Sequence, residues 1–209
     1  MSSAFQSAFQ QLPLVAILRG VKPDEVEAIG AALYTAGFRL IEVPLNSSDP
    51  LDSIARLARS LPADALVGAG TVLTQEAAQQ VKDAGGQLIV SPHCDPTVIR
   101  FAKTLDMIAL PGIVTPTEAF AAISAGADAL KLFPAEMMPP AVVKALRAVL
   151  PKDMAVLPVG GITPEGMAAY RRAGANGFGL GSALYAPGYS AEEVGQRART
   201  FVRAWQEQQ

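Results

Sequence analysis

A single lysine stands inside an apolar run. In "GADALKLFPAE" (126–136), Lys131 follows Ala129 and Leu130 and precedes Leu132, Phe133 and Pro134. Apolar surroundings disfavour an ammonium, which leaves a neutral amine able to attack a ketone carbonyl. The iminium so formed withdraws electrons and lets the adjacent carbon–carbon bond break or form. Such a reaction needs a proton shuttle, and Glu42 in "RLIEVPL" (39–45) is the acidic residue that falls inside a strand-like core. Arg19, ending "LVAILR" (14–19), offers a planar fork for a carboxylate. Thr71, closing "ALVGAGT" (65–71), offers a hydroxyl to the same oxygens or a neighbouring one.

Glycines add a second theme. "VGGITPE" (159–165) and "GLGSALY" (179–185) each place small residues after a strand and before a predicted helix. Free N–H groups at such turns bind anions, so the two segments point to a phosphate. Blander readings accompany each residue. Lys131 could snorkel from a strand end, Glu42 could pair with Arg19, Thr71 could cap a helix, and the glycines could simply make tight turns. Their common placement at strand ends favours a site.

The elements that must position these groups are written in alternating patterns. Eight apolar runs read as parallel strands covered on both faces: 14–19, 39–45, 65–71, 87–92, 106–112, 129–134, 155–161 and 177–182. Amphipathic helical stretches separate them. In "DEVEAIGAALYTAG" (24–37), Val26, Ile29 and Leu33 share a face and Gly37 supplies the stop. "TPTEAFAAISAG" (115–126) opens with Thr115, Pro116 and Glu118, a capping box, and "TPEGMAAYRRAG" (163–174) repeats the Thr-Pro opening. Eight strand–helix units predict an α/β protein that is a single (β/α)₈ TIM barrel, with a doubly wound open sheet as the other arrangement. One domain is expected over 1–209, with a short N-terminal extension or helix at 1–12. The stretch 192–206 reads as a closing helix with Val194, Ala198, Phe201, Val202 and Trp205 inward.

Composition excludes several classes. A net charge of −2 gives no nucleic-acid or polybasic membrane surface. One cysteine, Cys94, beside the one histidine, His93, makes neither an intrachain disulfide nor a structural zinc site. That pair in "SPHCD" (91–95) lacks a second histidine as base and reads as strand-end lining. "EMMPP" (136–140) reads as loop and helix entry. No apolar run reaches the roughly 18 residues of a membrane span, and no signal peptide is visible, so the cytoplasm is expected.

"LPLVAILRG", "IEVPLNS", "LVGAGTVL", "ALPGIVTPTEAF", "ALKLFPAE", "VGGITPE" and "GLGSALY", in that order, resemble the KDPG/KDPGal aldolase family over nearly the whole chain. The resemblance implies a homotrimer of (β/α)₈ barrels. It would cleave a phosphorylated keto-deoxy sugar acid to pyruvate and glyceraldehyde 3-phosphate, without metal or organic cofactor. It implies that Lys131 is the Schiff-base lysine, Glu42 the general acid and base, Arg19 the carboxylate ligand, and Thr71 the substrate-binding threonine of the "GAGT" turn. Gly160, Gly161, Gly181 and Ser182 would contact phosphate. Asn46 in "EVPLNS" and Val159 in "PVGG" resemble the galactonate-type branch, whereas "KLFPAE" looks more like the gluconate branch. The 6-phosphogalactonate substrate is favoured, with its C4 epimer as the alternative. From residues alone, a phosphosugar isomerase or epimerase and a non-catalytic sugar-phosphate sensor remain open.

Overall fold

The computed structural model describes residues 3–207. Of the N-terminal segment expected at 1–12, residues 1 and 2 lie outside the described residues, and Ser3–Gln11 form helix α1. The strands are β1 (Leu14–Ile17), β2 (Leu40–Pro44), β3 (Leu66–Gly70), β4 (Leu88–Val90), β5 (Ile108–Leu110), β6 (Gly112–Ile113), β7 (Ala129–Leu132), β8 (Ala155–Pro158) and β9 (Phe178–Leu180). Helices alternate with them: α2 (Val26–Ala36), α3 (Pro50–Ser60), α4 (Gln75–Asp83), α5 (Pro96–Thr104), α6 (Pro116–Ser124), α7 (Pro140–Arg147), α8 (Met167–Arg172) and α9 (Ala191–Gln206).

All strand pairs are parallel. One six-stranded sheet runs β5-β4-β3-β2-β1-β9, and a three-stranded sheet runs β6-β7-β8. The run expected as one strand over 106–112 is split at Pro111, because proline brings no N–H to the ladder. Hydrogen bonds nevertheless run between the sheets. Asp128 N donates to Ala109 O (2.9 Å) and Lys131 N to Pro111 O (2.9 Å). At the opposite edge Val159 bridges Gly179, and Asn176 N donates to Val156 O (3.0 Å).

Period-two alternation sorts the strand residues into two cores. Leu14, Ala16, Ile41, Val67, Leu130 and Val156 pack against the helices. Val15, Leu40, Leu66, Leu88, Ile108, Ala129, Ala155 and Leu157 form a second, inner cluster. Phe5 and Ala8 of α1 join that inner cluster, so α1 closes the end where the strands begin. The same parity carried further along β2 and β7 puts Glu42 and Lys131 on the inner side. Apolar layers below and two charges above set the direction of the site.

Helix ends follow the sequence in most places. Gly37 takes the left-handed conformation (φ 112°) and its N–H caps α2. Thr115 and Glu118 form the full capping box of α6. On α9, Val194, Ala198, Phe201 and Trp205 are buried while Val202 is half-buried. The Thr163 opening is different. It starts a turn, with Gly166 N donating to Thr163 O (3.1 Å), and α8 begins only at Met167. Thr163 and Pro164 thus resemble a helix start locally, but the backbone spends that segment in the turn.

Candidate active site

Glu42 and Lys131 come from β2 and β7, each with its whole strand buried. Glu42 is 2% and Lys131 6% exposed, which is rare for charged side chains without an ion-pair partner. Among the described residues Glu42 Oε2 has no hydrogen-bond partner. Burial pushes the Glu42 carboxyl up to about 7, against the opposing pull of Lys131 and Arg19. Burial likewise pushes the Lys131 ammonium below the usual lysine range; Glu42 opposes that change and Arg19 adds to it. The lysine Nζ lies 4.6 Å from the centre of the Phe133 ring. A poorly solvated amine beside a carboxyl that titrates near neutrality is the pairing that imine chemistry with proton transfer requires.

Glycine makes room for this arrangement. A β-carbon at Gly70 would overlap the Glu42 carboxylate. Thr71 follows immediately with φ 57°, a left-handed conformation that costs a β-branched residue about 1–3 kcal/mol. The strain lies directly beside the buried carboxylate.

Above Lys131 opens a cavity of about 470 Å³, of the size that takes small metabolites. Of the residues expected from sequence, Arg19, Lys131, Val159, Gly160, Gly161, Gly181 and Ser182 line it. Glu42 borders the narrow space underneath, together with Lys131 and Val159. Asn46 does not line the cavity; its Oδ1 accepts from Arg19 Nη1 at 2.8 Å and so orients the guanidinium. Thr71 does not line it either and stays at the end of β3, next to Gly70. His93 and Cys94 lie elsewhere: Cys94 Sγ donates to Glu118 O at 3.4 Å, and burial pushes the thiol up.

The glycine segments work without helix N-termini. Gly160 and Gly161 have φ of 111° and 63° and turn the chain well ahead of α8. After β9 comes a turn closed by Leu184 N and Tyr185 N donating to Gly181 O, then a second closed by Tyr189 N donating to Ala186 O, and the next helix is α9. The N–H groups of Gly161, Ile162, Ser182 and Ala183 take no acceptor from the described residues, so these turns can supply anion-binding donors directly. Tyr185 braces the second turn by donating to Glu25 Oε1 at 3.0 Å.

Sequence reasoning missed Glu136 and Tyr185, which both line the cavity. Glu136 belongs to a one-turn 3₁₀ segment, Ala135–Met137, where no periodicity marks a direction. Tyr185 read as part of a glycine motif. Among the described residues no group of three or more His, Cys, Asp or Glu is placed to hold a metal ion. No helix among them is long and apolar enough to cross a membrane.

Residues 5–196 match the family described as "Aldolase: KDPG and KHG aldolase". The chain belongs to that family. It is therefore an aldolase, a carbon–carbon lyase, and the isomerase and sensor readings give way. The aldolase is 50% identical over 193 residues to the probable 2-dehydro-3-deoxy-6-phosphogalactonate aldolase of Rhizobium meliloti (strain 1021), covering 92% of this chain and 91% of that one. It is 48% identical over 197 residues to the 2-dehydro-3-deoxy-6-phosphogalactonate aldolase of Escherichia coli (strain K12), covering 94% and 96%. A solved structure described as native KDPGal superposes with a TM-score of 0.93 at 48% identity, covering 95% of this chain and 96% of that one.

Proposed function

We propose that this aldolase cleaves 2-dehydro-3-deoxy-6-phospho-D-galactonate to pyruvate and D-glyceraldehyde 3-phosphate through an imine on Lys131. The observation that carries the mechanism is the buried Lys131 with Glu42 beside it under one cavity. The two relatives' names support the galactonate configuration.

Neutral Lys131 Nζ attacks the C2 ketone; loss of water from the carbinolamine leaves the iminium. Glu42 carboxylate takes the C4 hydroxyl proton, the C3–C4 bond breaks, and its electron pair flows into the iminium to give an enamine. The aldehyde leaves as glyceraldehyde 3-phosphate. The enamine carbon then takes a proton back from Glu42, and water releases pyruvate and free Lys131. A carboxyl near 7 serves both directions of proton transfer at neutral pH. Arg19, held by Asn46, binds the C1 carboxylate with help from Thr71. Gly160, Gly161, Gly181 and Ser182 bind the phosphate, and Val159 shapes the wall nearest C4.

The same reading takes the two sheets, hydrogen-bonded at both edges, as one (β/α)₈ barrel forming a single domain. It takes the assembly as a homotrimer, for which exposed Leu73, Val114 and Phe120 supply apolar surface, and places it in the cytoplasm.

Pyruvate release from each C4 epimer, followed with lactate dehydrogenase and NADH, tests the assignment. The expected result is a higher kcat/KM on the galactonate epimer. The reverse order would move the substrate to the gluconate epimer, and no pyruvate from either would overturn the proposal.

A further inference from the structure

The mechanism above leaves one carboxylate of the cavity idle. Among the described residues Glu136 is the single acidic side chain in the lining, which also holds Arg19 and Lys131. It is exposed and has no hydrogen bond or ion pair to another described residue. Its side chain lies against the Gly160–Gly161 turn, where a β-carbon at either glycine would run into its carboxylate or its stem. Glycine at both positions thus leaves the space that Glu136 occupies.

A carboxylate in a cavity that takes a carboxylate and a phosphate is unfavourable by like-charge repulsion unless it accepts a hydrogen bond from the substrate. On the substrate reading proposed above, C2 joins Lys131 and the C6 phosphate meets the amides of 161–162 and 182–183. The carbons between them pass the turn that Glu136 covers. The C4 hydroxyl belongs to Glu42, so the C5 hydroxyl is the donor left without a partner.

We propose that Glu136 is a specificity-determining residue whose carboxylate accepts a hydrogen bond from the C5 hydroxyl, next to the phosphorylated carbon. In the condensation direction this becomes recognition of the hydroxyl of glyceraldehyde 3-phosphate. A site built to pair a substrate hydroxyl discriminates strongly against the analogue lacking it.

The test is a double-mutant cycle between protein and substrate. Condensation of pyruvate with D-glyceraldehyde 3-phosphate and with 3-oxopropyl phosphate, which lacks that hydroxyl, is measured for wild type, Glu136→Ala and Glu136→Gln. Wild type should prefer the hydroxyl-bearing aldehyde by about tenfold or more in kcat/KM. Glu136→Ala should bring the preference close to unity by slowing only that aldehyde, and Glu136→Gln, which keeps an acceptor oxygen, should recover part of it. Equal losses on both aldehydes, or an unchanged preference, would overturn the proposal. Borohydride trapping of pyruvate, expected unchanged in both variants, reports that fold and imine site are intact; if trapping is lost, the rate changes arise from the site itself and the proposal fails. If wild type condenses neither aldehyde, the substrate assignment fails first.

Discussion

Two lysines and two carboxylates lie at opposite ends of the strands, and they are treated differently. At the beginning of β7, Asp128 is 3% exposed and accepts from Lys103 Nζ at 2.5 Å and from Ala109 N at 3.0 Å. Lys103 also donates to Met107 O at 2.9 Å. That pair is hydrogen-bonded throughout and ties α5 and β5 to the start of β7. At the other end both Lys131 and Glu42 are buried, yet Glu42 Oε2 has no partner among the described residues and both groups have displaced pKa values. Satisfied burial marks structure; unsatisfied burial, open to a cavity, marks chemistry. On the proposed mechanism, the stability given up at one end is what holds reactive groups ready.

The sharpest contrast comes from removing each lysine-side or carboxylate-side partner. Lys131→Met should lower kcat by at least about a thousandfold, because no other amine of the described residues lines the cavity. Its melting temperature at pH 7 should stay level or rise, since the variant no longer buries an amine. A fall in melting temperature would make Lys131 a structural residue like Lys103.

The next effect is one of pH. Between about 4.5 and 7 the folded protein keeps the Glu42 proton that the unfolded chain has released, so unfolding free energy should fall as pH rises through that window. The shift to about 7 corresponds to about 3 kcal/mol. Denaturant titrations of Glu42→Gln should lack this component, and a parallel pH profile in the variant would contradict it.

Asp128→Ala should act in the opposite sense. It removes the acceptor of Ala109 N, leaves Lys103 only Met107 O, and should cost about 2–3 kcal/mol, discounted because Lys103 is one-third exposed. Its kcat should equal wild type. A variant that keeps its stability would break the comparison at the structural end.

Much of this was legible in the chain because inner and outer residues alternate strictly. The parity that hides Leu40 and Ala129 also turns Glu42 and Lys131 inward, so charges in apolar runs announced themselves. Gly37 and the Thr115–Glu118 box are local signals and appear as written. The break at Pro111 was visible as a proline but hidden by the apolar residues around it. The α8 start failed because Thr-Pro opens turns as readily as helices. Glu136 had no signal: its place depends on the missing β-carbons of Gly160 and Gly161, a contact between segments far apart in sequence.

The central claim is that Lys131 is the amine that bonds to substrate. Incubation with pyruvate and borohydride, followed by peptide mass spectrometry, tests it most directly. One reduced pyruvyl adduct per chain, located on Lys131 and absent from Lys131→Met, is the predicted result. An adduct on another lysine, or none while the enzyme still turns over substrate, would contradict it.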